Sequence, residues 1–373
     1  MATDTAKHVP MPEMKPPRSQ TGIIGWLRQN LFSSWSNSLL TVVGLYLTIR
    51  LVSAILEWTV FSAVWTGADG TVCQKETVGA CWPFVTAKFS QFMYGRYPEA
   101  ERWRVDLTYL LAAGTLVPLM WPGTPGKRYI ALFGIFVFPV LAVILLSGGF
   151  FGLQDIPTEL WGGLLVTLVV ASCGIAGSFP VGIVLALGRR SRMPVARWVS
   201  IFFIEFVRAV PLITILFMSS VMLPLFLPDG VSFDKLLRAL IGVMLFQGAY
   251  MAETIRGGLQ AIPRGQFEAA DALGLSYPQK MGLIILPQAL KLVIPGIVNS
   301  FVGLTKDTSL VLIIGIFDLL GIVQAGLTDA KWFAPSTAMT GYVFAAIIFW
   351  SICFGISRYS AWLERRLSAG DRR

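Results

Sequence analysis

Long apolar stretches alternate with short polar segments along most of the chain. Eight of these stretches reach roughly the 20 residues that a helix needs to cross the hydrocarbon core of a bilayer. They lie at residues 39–63, 104–121, 129–147, 160–188, 199–222, 236–256, 290–317 and 338–357. A spanning segment must satisfy its own backbone hydrogen bonds, so each is predicted to be an α-helix. The pattern predicts an all-α polytopic membrane protein with eight transmembrane helices.

Lysine and arginine are distributed unevenly between the segments that join these helices. With the N-terminus inside, the inner segments hold 19 basic residues and the outer segments hold five. The inner segments are 1–38, 122–128, 189–198, 256–291 and 358–373, and the outer ones are 64–103, 148–159, 223–234 and 318–337. Because basic residues are enriched in cytoplasmic loops, both termini are predicted to be cytoplasmic. The first 38 residues lack the apolar core of a cleavable signal peptide.

Composition narrows the class of protein further. The chain is 55% hydrophobic and only 14% charged, whereas soluble domains carry about 25% charged residues. This excludes a disordered chain, a fibre and an ordinary soluble enzyme. The net charge of +9 is accounted for by the inner loops, so no nucleic-acid partner is expected. The one histidine is His8, and the four cysteines lack metal-ligand spacing, so neither a metal site nor a catalytic site is predicted.

The chain is predicted to divide near residue 155. Residues 1–38 form a cytoplasmic tail, and residues 39–152 hold three helices with the outer loop 64–103. A region of five helices follows at 153–360, and a second cytoplasmic tail occupies 361–373.

The segment 256–291 is the longest inner loop within the five-helix region. Its residues 268–273 predict a short helix that opens with acidic side chains, where the helix dipole favours negative charge. Alanine keeps that helix stable and lets another surface approach closely, and the glycine at 274 permits a sharp turn. The residues that matter here are Glu268, Ala269, Ala270, Gly274, Ile284, Leu286 and Pro287.

These seven residues match the spacing of the EAA loop, so the chain resembles bacterial ABC-importer permeases. That spacing is Glu-Ala-Ala, three residues, Gly, nine residues and Ile-x-Leu-Pro. The segments 205–212, 252–258 and 306–310 resemble the polar amino-acid importers, with Ala209 and Val210 in place of the usual Gly-Thr. The three additional helices are similar to the extended permeases of general L-amino-acid importers.

The resemblance implies a function and a set of partners. The chain would be the inner-membrane permease subunit of an ATP-driven importer, forming the pathway for L-amino acids and coupling to a separate dimer of ATPase subunits through the EAA loop. ATP and Mg would bind to those subunits, since this chain has no G-x-x-x-x-G-K-[ST] motif and is not expected to be an enzyme or to hold a cofactor. A second, homologous permease (a heterodimer rather than a homodimer), a periplasmic amino-acid-binding protein and membrane lipid are the other expected partners. The alternative is an ion-coupled secondary transporter, which would be expected to show repeated halves with broken helices.

Polar residues inside the predicted spans are candidates for the translocation path or for gating. Charged groups there are costly and usually face protein, so a role in packing competes with a role in transport for each of them. Two of them, Glu205 and Arg208, share a helix face and could form an ion pair or a gate. The full set is Thr167, Glu205, Arg208, Gln247, Asn299, Lys306, Asp307 and Thr308.

Two cysteines lie eight positions apart in the outer loop. On the oxidising side of a bacterial membrane, Cys73 and Cys81 could form a local disulfide that braces this loop.

Overall fold

The computed structural model describes residues 22–368 except 76, 229, 231 and 232. Within these residues the regular structure is helical, and the β-type pairing consists of isolated bridges, such as those of Gly95 with Trp161 and of Gly163 with Asp318. The all-α prediction is confirmed. The chain forms two compact units, Met1–Val64 with Lys75–Ala80 and Trp65–Gln74 with Cys81–Arg373.

The first unit is built from two helices. Helix α1 covers Gly22–Asn30, and α2 covers Trp35–Leu56 and continues as a π-helical turn over Glu57–Phe61. The hydroxyl of Ser34 caps the start of α2 by accepting a hydrogen bond from the backbone N–H of Asn37 at 3.2 Å. No residue of α2 is buried, which suits an apolar helix whose surroundings are lipid or other protein.

The second unit contains the remaining α-helices. In chain order they are α3 Trp82–Tyr94, α4 Arg102–Met120, α5 Lys127–Leu132, α6 Phe138–Ser147, α7 Gly163–Arg189, α8 Pro194–Ala209, α9 Leu212–Phe217, α10 Lys235–Ala261, α11 Arg264–Ala272, α12 Tyr277–Gln279, α13 Leu286–Leu292, α14 Ile294–Asp307, α15 Leu319–Gly326 and α16 Pro335–Ser368.

Six helices in the described part of the chain are long and apolar enough to cross a membrane, or seven if one bent pair counts as a span. The predicted number of eight is therefore not confirmed. The remaining candidate was 104–121, which corresponds to α4. Helix α4 is less apolar than the others because Arg102, Arg104 and Asp106 occupy its first turns. The six are Trp35–Phe61, Lys127–Ser147, Gly163–Arg189, Lys235–Ala261, Ile294–Ile314 and Pro335–Leu367.

The predicted continuous span at 199–222 is wrong in one respect, because it is broken. Helix α8 ends at Ala209, and the helical stretch Leu212–Phe226 leaves it at an angle of 105°. Pro211 explains the break: a proline has no N–H to donate and disfavours helical geometry in the residue before it. Val210 accordingly adopts an extended conformation, with φ −105° and ψ 136°.

Helices α7 and α10 pack closely along their length and form the centre of the second unit. Glycines permit this close approach: a Cβ at Gly182 would lie 2.6 Å from Met251 Cγ, and one at Gly248 would lie 2.5 Å from Val181 Cγ1. Small residues at helix contacts are typical of membrane bundles. Both helices contribute to two buried apolar clusters, one around Val170 and the other around the C-terminal half of α10.

The predicted outer loop is fastened to the five-helix region. Cys73 and Cys81 are buried and form a disulfide, with their Cα atoms 5.8 Å apart. The backbone N–H of Cys81 donates to Thr340 Oγ1 at 2.8 Å. Farther along, Lys88 Nζ and Asp329 Oδ2 form an ion pair at 2.6 Å. The side chain of Asp329 is about one-third exposed, and the ammonium of Lys88 holds its pKa below the usual range.

Candidate functional site

The EAA-type loop begins with a longer helix than its sequence predicts. Helix α11 starts at Arg264 rather than at residue 268, because Pro263 precedes it and proline favours the start of a helix. Glu268 is therefore the fifth residue of the helix. The expectation that its carboxylate meets the positive end of the helix dipole is wrong, and the first turn of α11 contains no acidic residue.

The turn after α11 agrees with the prediction. Gly274 has φ +68°, a left-handed conformation that glycine adopts without steric cost. Its N–H donates to the carbonyl of Asp271 at 3.0 Å, and the next N–H, of Leu275, donates to the carbonyl of Ala270 at 3.3 Å. Ser276 and Gln279 then start α12 with a reciprocal capping box. Pro287 lies in the first turn of α13.

Around this turn, several side chains are exposed although they are apolar. Leu273 is 74% exposed, Tyr277 53% and Leu283 72%, and Glu268 on α11 is also exposed. We call these four residues the coupling surface. Of the other predicted loop residues, Ala270 is fully buried, Ile284 and Leu286 are partly buried, and Ala269 and Pro287 are exposed. An exposed apolar group rimmed by polar residues is typical of a protein interaction site.

Five charged residues from α7, α8 and α10 meet near the loop; we call them the ionic cluster. Glu253 is at its centre: its Oε1 accepts from Arg189 Nη1 at 2.9 Å and its Oε2 from Arg256 Nη2 at 2.7 Å. Arg189 Nη1 also contacts Glu205 Oε1 at 2.8 Å, and Arg208 Nη1 lies 3.8 Å from Glu253 Oε2. Glu253 is only 16% exposed, so its charge depends on the three arginines around it.

The ionic cluster corrects the expected ion pair between Glu205 and Arg208. The two residues share a face of α8, but among the described residues each forms its ion pair with another helix. Arg208 also stacks over the ring of Tyr250 on α10, 5.5 Å from its centroid. The charges of α8 therefore join it to α7 and α10 instead of neutralising each other.

One further arginine connects the end of α7 to the EAA-type loop. Arg190 Nη1 donates to the carbonyl of Leu259 on α10 at 2.7 Å. Its guanidinium lies over the ring of Phe267 on α11, 5.6 Å from the centroid. Arg190 therefore contacts both α10 and α11 from the C-terminal end of α7.

The remaining candidate residues do not lie together in a single site. Thr167 is fully buried, where its hydroxyl donates to the carbonyl of Gly163 and accepts the N–H of Leu319 at 3.0 Å. Gln247, 5% exposed, donates to the carbonyl of Ser300 at 3.1 Å and so ties α10 to α14. Their roles in transport stay predictions.

The four candidates in this part of the chain are Lys306, Asp307 and Thr308 at the C-terminal end of α14 and Asn299 nearer its middle. Asn299 and Lys306 are exposed, Asp307 is partly buried and Thr308 is buried, donating to the carbonyl of Thr305. Helix α14 ends at Asp307 and gives way to a 3₁₀ helix, so the chain changes its helical geometry between the charged pair and Thr308.

Sequence reasoning missed the importance of Arg189, Arg190, Glu253 and Arg256. The spacing of Glu253 and Arg256 indicates an ion pair on one helix face. The contact between Glu253 and Arg189, however, joins two helices at positions 64 residues apart in the sequence. In the described residues, no group of three or more His, Cys, Asp or Glu side chains is placed to hold a metal ion.

Comparison with known proteins identifies the family of this chain. Residues 178–369 match the family described as "Binding-protein-dependent transport system inner membrane component". The "Inner membrane amino-acid ABC transporter permease protein YhdY" of Escherichia coli is 54% identical over 346 residues, which cover 92% of this chain and 93% of that protein. The "Glutamate/glutamine/aspartate/asparagine transport system permease protein BztC" of Rhodobacter capsulatus is 39% identical, covering 95% and 96%.

A solved structure of an amino acid ABC transporter with histidines is also similar, with 28% identity and a TM-score of 0.48, over 55% of this chain and 92% of that one. The family model covers about half of the chain, and the two bacterial permeases are similar over almost its full length. The chain therefore belongs to the family of inner-membrane components of binding-protein-dependent transport systems.

Proposed function

We propose that this chain is the permease subunit of an ATP-driven importer of amino acids. Family membership supports the transport role, and the names of the two similar permeases support amino acids as the class of solute. The observation that carries the coupling mechanism is the exposed coupling surface, connected through Arg190 and Phe267 to the end of α7.

In this proposal the coupling surface faces the cytoplasm of a bacterium. The excess of basic residues in the inner segments supports that orientation, with both termini cytoplasmic. The disulfide between Cys73 and Cys81 then lies on the oxidising, periplasmic side, where such bonds persist.

The proposed partners are inferred from the absence of an ATP-binding motif in the sequence and from the exposed coupling surface. Its sequence has no phosphate-binding loop of the Walker type, so two separate ATPase subunits would bind ATP and Mg. Leu273 and Tyr277 would insert their apolar side chains into a groove of one such subunit. A second, homologous permease would complete the pathway, and a periplasmic amino-acid-binding protein would deliver the solute.

The geometry suggests how a movement of the ATPase reaches the membrane. Closure of the ATPase dimer would push α11, and the stacking of Phe267 on Arg190 would pass that push to α7 and α10. The ionic cluster holds α7, α8 and α10 together at this end, so it would have to exchange partners as the helices rearrange. ATP binding would thereby shift the population between inward-open and outward-open states.

An ion-coupled transporter is the weaker alternative. The family is defined by dependence on a binding protein, and none of the similar permeases named above supports coupling to an ion gradient. An ion-coupled transporter would also have no need for an exposed apolar surface next to an EAA-type loop.

The test is the Glu268→Lys variant, with Asp155→Lys as a matched control that reverses an exposed acidic residue elsewhere. We expect Glu268→Lys to stay in the membrane but to recover much less ATPase in a mild-detergent pull-down, at least tenfold less if an ion pair at the docked surface is lost. The control should recover a normal amount. Equal recovery of the ATPase by both variants would contradict docking at the coupling surface.

A further inference from the structure

A small open pocket lies at the end of the bundle opposite the ionic cluster. Helices α7 and α10 both run from this pocket towards the cluster, and each has 27 residues, which corresponds to a length of about 40 Å. The pocket has a volume of about 150 Å³. It is lined by side chains that precede α7, begin α10 and follow α14, together with Arg96 from the turn after α3.

Backbone contacts hold the walls of this pocket in place. The N–H of Arg96 donates to the carbonyl of Leu160 at 3.1 Å, and the N–H of Gly163 donates to the carbonyl of Phe317 at 3.0 Å. Gly95 has φ +69°, and a Cβ there would lie 2.3 Å from Gly162 Cα, so only glycine allows the two loops to meet this closely. The pocket is therefore built into the fold.

Charges of both signs line the pocket, and they do not neutralise one another. Arg96 and Glu159 are exposed and Lys235 is partly buried, and among the described residues none of the three forms an ion pair. The guanidinium of Arg96 is held over the ring of Phe317, 5.1 Å from its centroid. This stacking orients the guanidinium of Arg96 at the pocket and leaves its positive charge without a neutralising anion among the described side chains.

The aromatic wall adds a polar group that lacks a partner. Trp161 is only 8% exposed and lines the pocket, and its indole N–H has no acceptor within the described part of the chain. A buried donor without an acceptor is costly. A ligand that brings a carboxylate into the pocket brings such an acceptor with it.

We propose that this pocket binds the zwitterionic backbone of a free α-amino acid, with the carboxylate at Arg96 and Lys235 and the ammonium at Glu159. Charge-assisted hydrogen bonds of this kind require both signs in one small site. A volume of 150 Å³ holds about five water-sized groups, which matches the ammonium, α-carbon and carboxylate of one amino acid. The side chain of the ligand would point through the open mouth, so the pocket would select amino acids as a class and discriminate weakly between them.

This inference rests on the proposed function and specifies where the solute is received from the periplasmic side. The test uses a cysteine placed in the pocket wall, Thr158→Cys, in the purified importer complex in lipid nanodiscs. The rate of labelling by a water-soluble thiol reagent reports whether the pocket is occupied, and the complex without this substitution gives the background from the native free cysteines, Cys173 and Cys353.

We expect saturating L-alanine to slow the labelling at least tenfold. Alaninamide, which lacks the carboxylate, and propionate, which lacks the ammonium, should each protect far less, because each loses one charged contact. Adding Arg96→Ala to Thr158→Cys should weaken protection by L-alanine about tenfold, whereas adding Lys331→Ala, a basic residue away from the pocket, should leave it unchanged.

Two results would overturn the proposal: labelling that L-alanine does not slow, or equal protection by all three compounds. Uptake assays on the same complex separate this failure from failure of the proposed function. If L-alanine is imported but does not protect the cysteine, the pocket assignment is wrong and the function stands. If no amino acid is imported, the solute class itself is wrong.

Discussion

Asp318 is a buried carboxylate that destabilises the folded protein when it is ionised. It caps the start of α15, where Oδ1 accepts the N–H of Gly321 at 2.9 Å. The residue is fully buried, and its Oδ2 has no hydrogen-bond partner among the described residues. Burial raises the pKa of Asp318 from 3.8 to about 6, in spite of the backbone N–H groups that favour the charged form.

The size of this effect follows from the pKa. A rise from 3.8 to about 6 is roughly two pKa units, and each unit corresponds to about 1.4 kcal/mol, so the charged form costs about 3 kcal/mol of stability. Below the unfolded-state pKa of 3.8 the carboxyl is protonated in both states and costs the folded protein nothing. As the pH rises through about 6, the folded protein loses this stability because the buried group must then carry a charge.

The perturbation is Asp318→Asn. The amide oxygen can still accept the N–H of Gly321, but the amide nitrogen takes the place of an oxygen that has no partner, at a cost of about 1–3 kcal/mol at every pH. We therefore expect the variant to be the less stable protein at about pH 4. As the pH rises from about 4 to 7.5, the unsubstituted protein should lose about 3 kcal/mol of stability relative to Asp318→Asn, because only the unsubstituted protein must keep a buried charged carboxylate.

The assay is thermal unfolding in detergent across this pH range, followed by the fluorescence of the 12 tryptophans. A change of about 3 kcal/mol corresponds to several degrees in the unfolding temperature. The control is Asp234→Asn, because Asp234 also caps a helix, with Oδ1 accepting the N–H of Leu237 at 2.9 Å, but is exposed. A difference in unfolding free energy between Asp318→Asn and the unsubstituted protein that stays constant from pH 4 to pH 7.5 would contradict a raised pKa for Asp318.

Three further predictions use the same unfolding assay. Asp329→Asn should destabilise the protein near neutral pH, because an ion pair holds the pKa of Asp329 low, and the deficit should vanish as the pH falls through that lowered pKa; a deficit that persists in acid would contradict this. Glu253→Gln should cost about 1–3 kcal/mol by leaving three arginines without their central partner, and clearly more than Glu205→Gln, whose side chain is 56% exposed; equal losses would argue against a central role. Reduction of the Cys73–Cys81 disulfide should cost about 2–3 kcal/mol for a loop of this length, measured against a Cys73→Ala, Cys81→Ala variant that reductant should not affect.

Local patterns were sufficient for the features that depend on a few adjacent residues. The turn at Gly274 was predictable because glycine alone enters the left-handed region at no cost, and the structure gives it φ +68°. The break between α8 and α9 is equally local because Pro211 marks it, although the apolar character of 199–222 continues across the break.

Features that join distant segments could not be derived in the same way. Glu205 and Arg208 share a helix face, yet the ion pairs that they form depend on where α7 and α10 lie. The pocket lined by Arg96 and Lys235 likewise unites residues that are 139 positions apart in the sequence. The spacing of charged residues along one helix identifies candidate ion pairs, but tertiary packing determines which partner each residue contacts.

ATP-dependent uptake by the reconstituted complex tests most directly whether this chain works in an ATP-driven importer. The purified permeases and ATPase would be placed in proteoliposomes with the binding protein on the opposite side, and the accumulation of labelled L-amino acids would be measured. We expect accumulation with ATP and none with ADP, whether or not a proton or sodium gradient is present. Accumulation that follows an ion gradient and does not require ATP would contradict it.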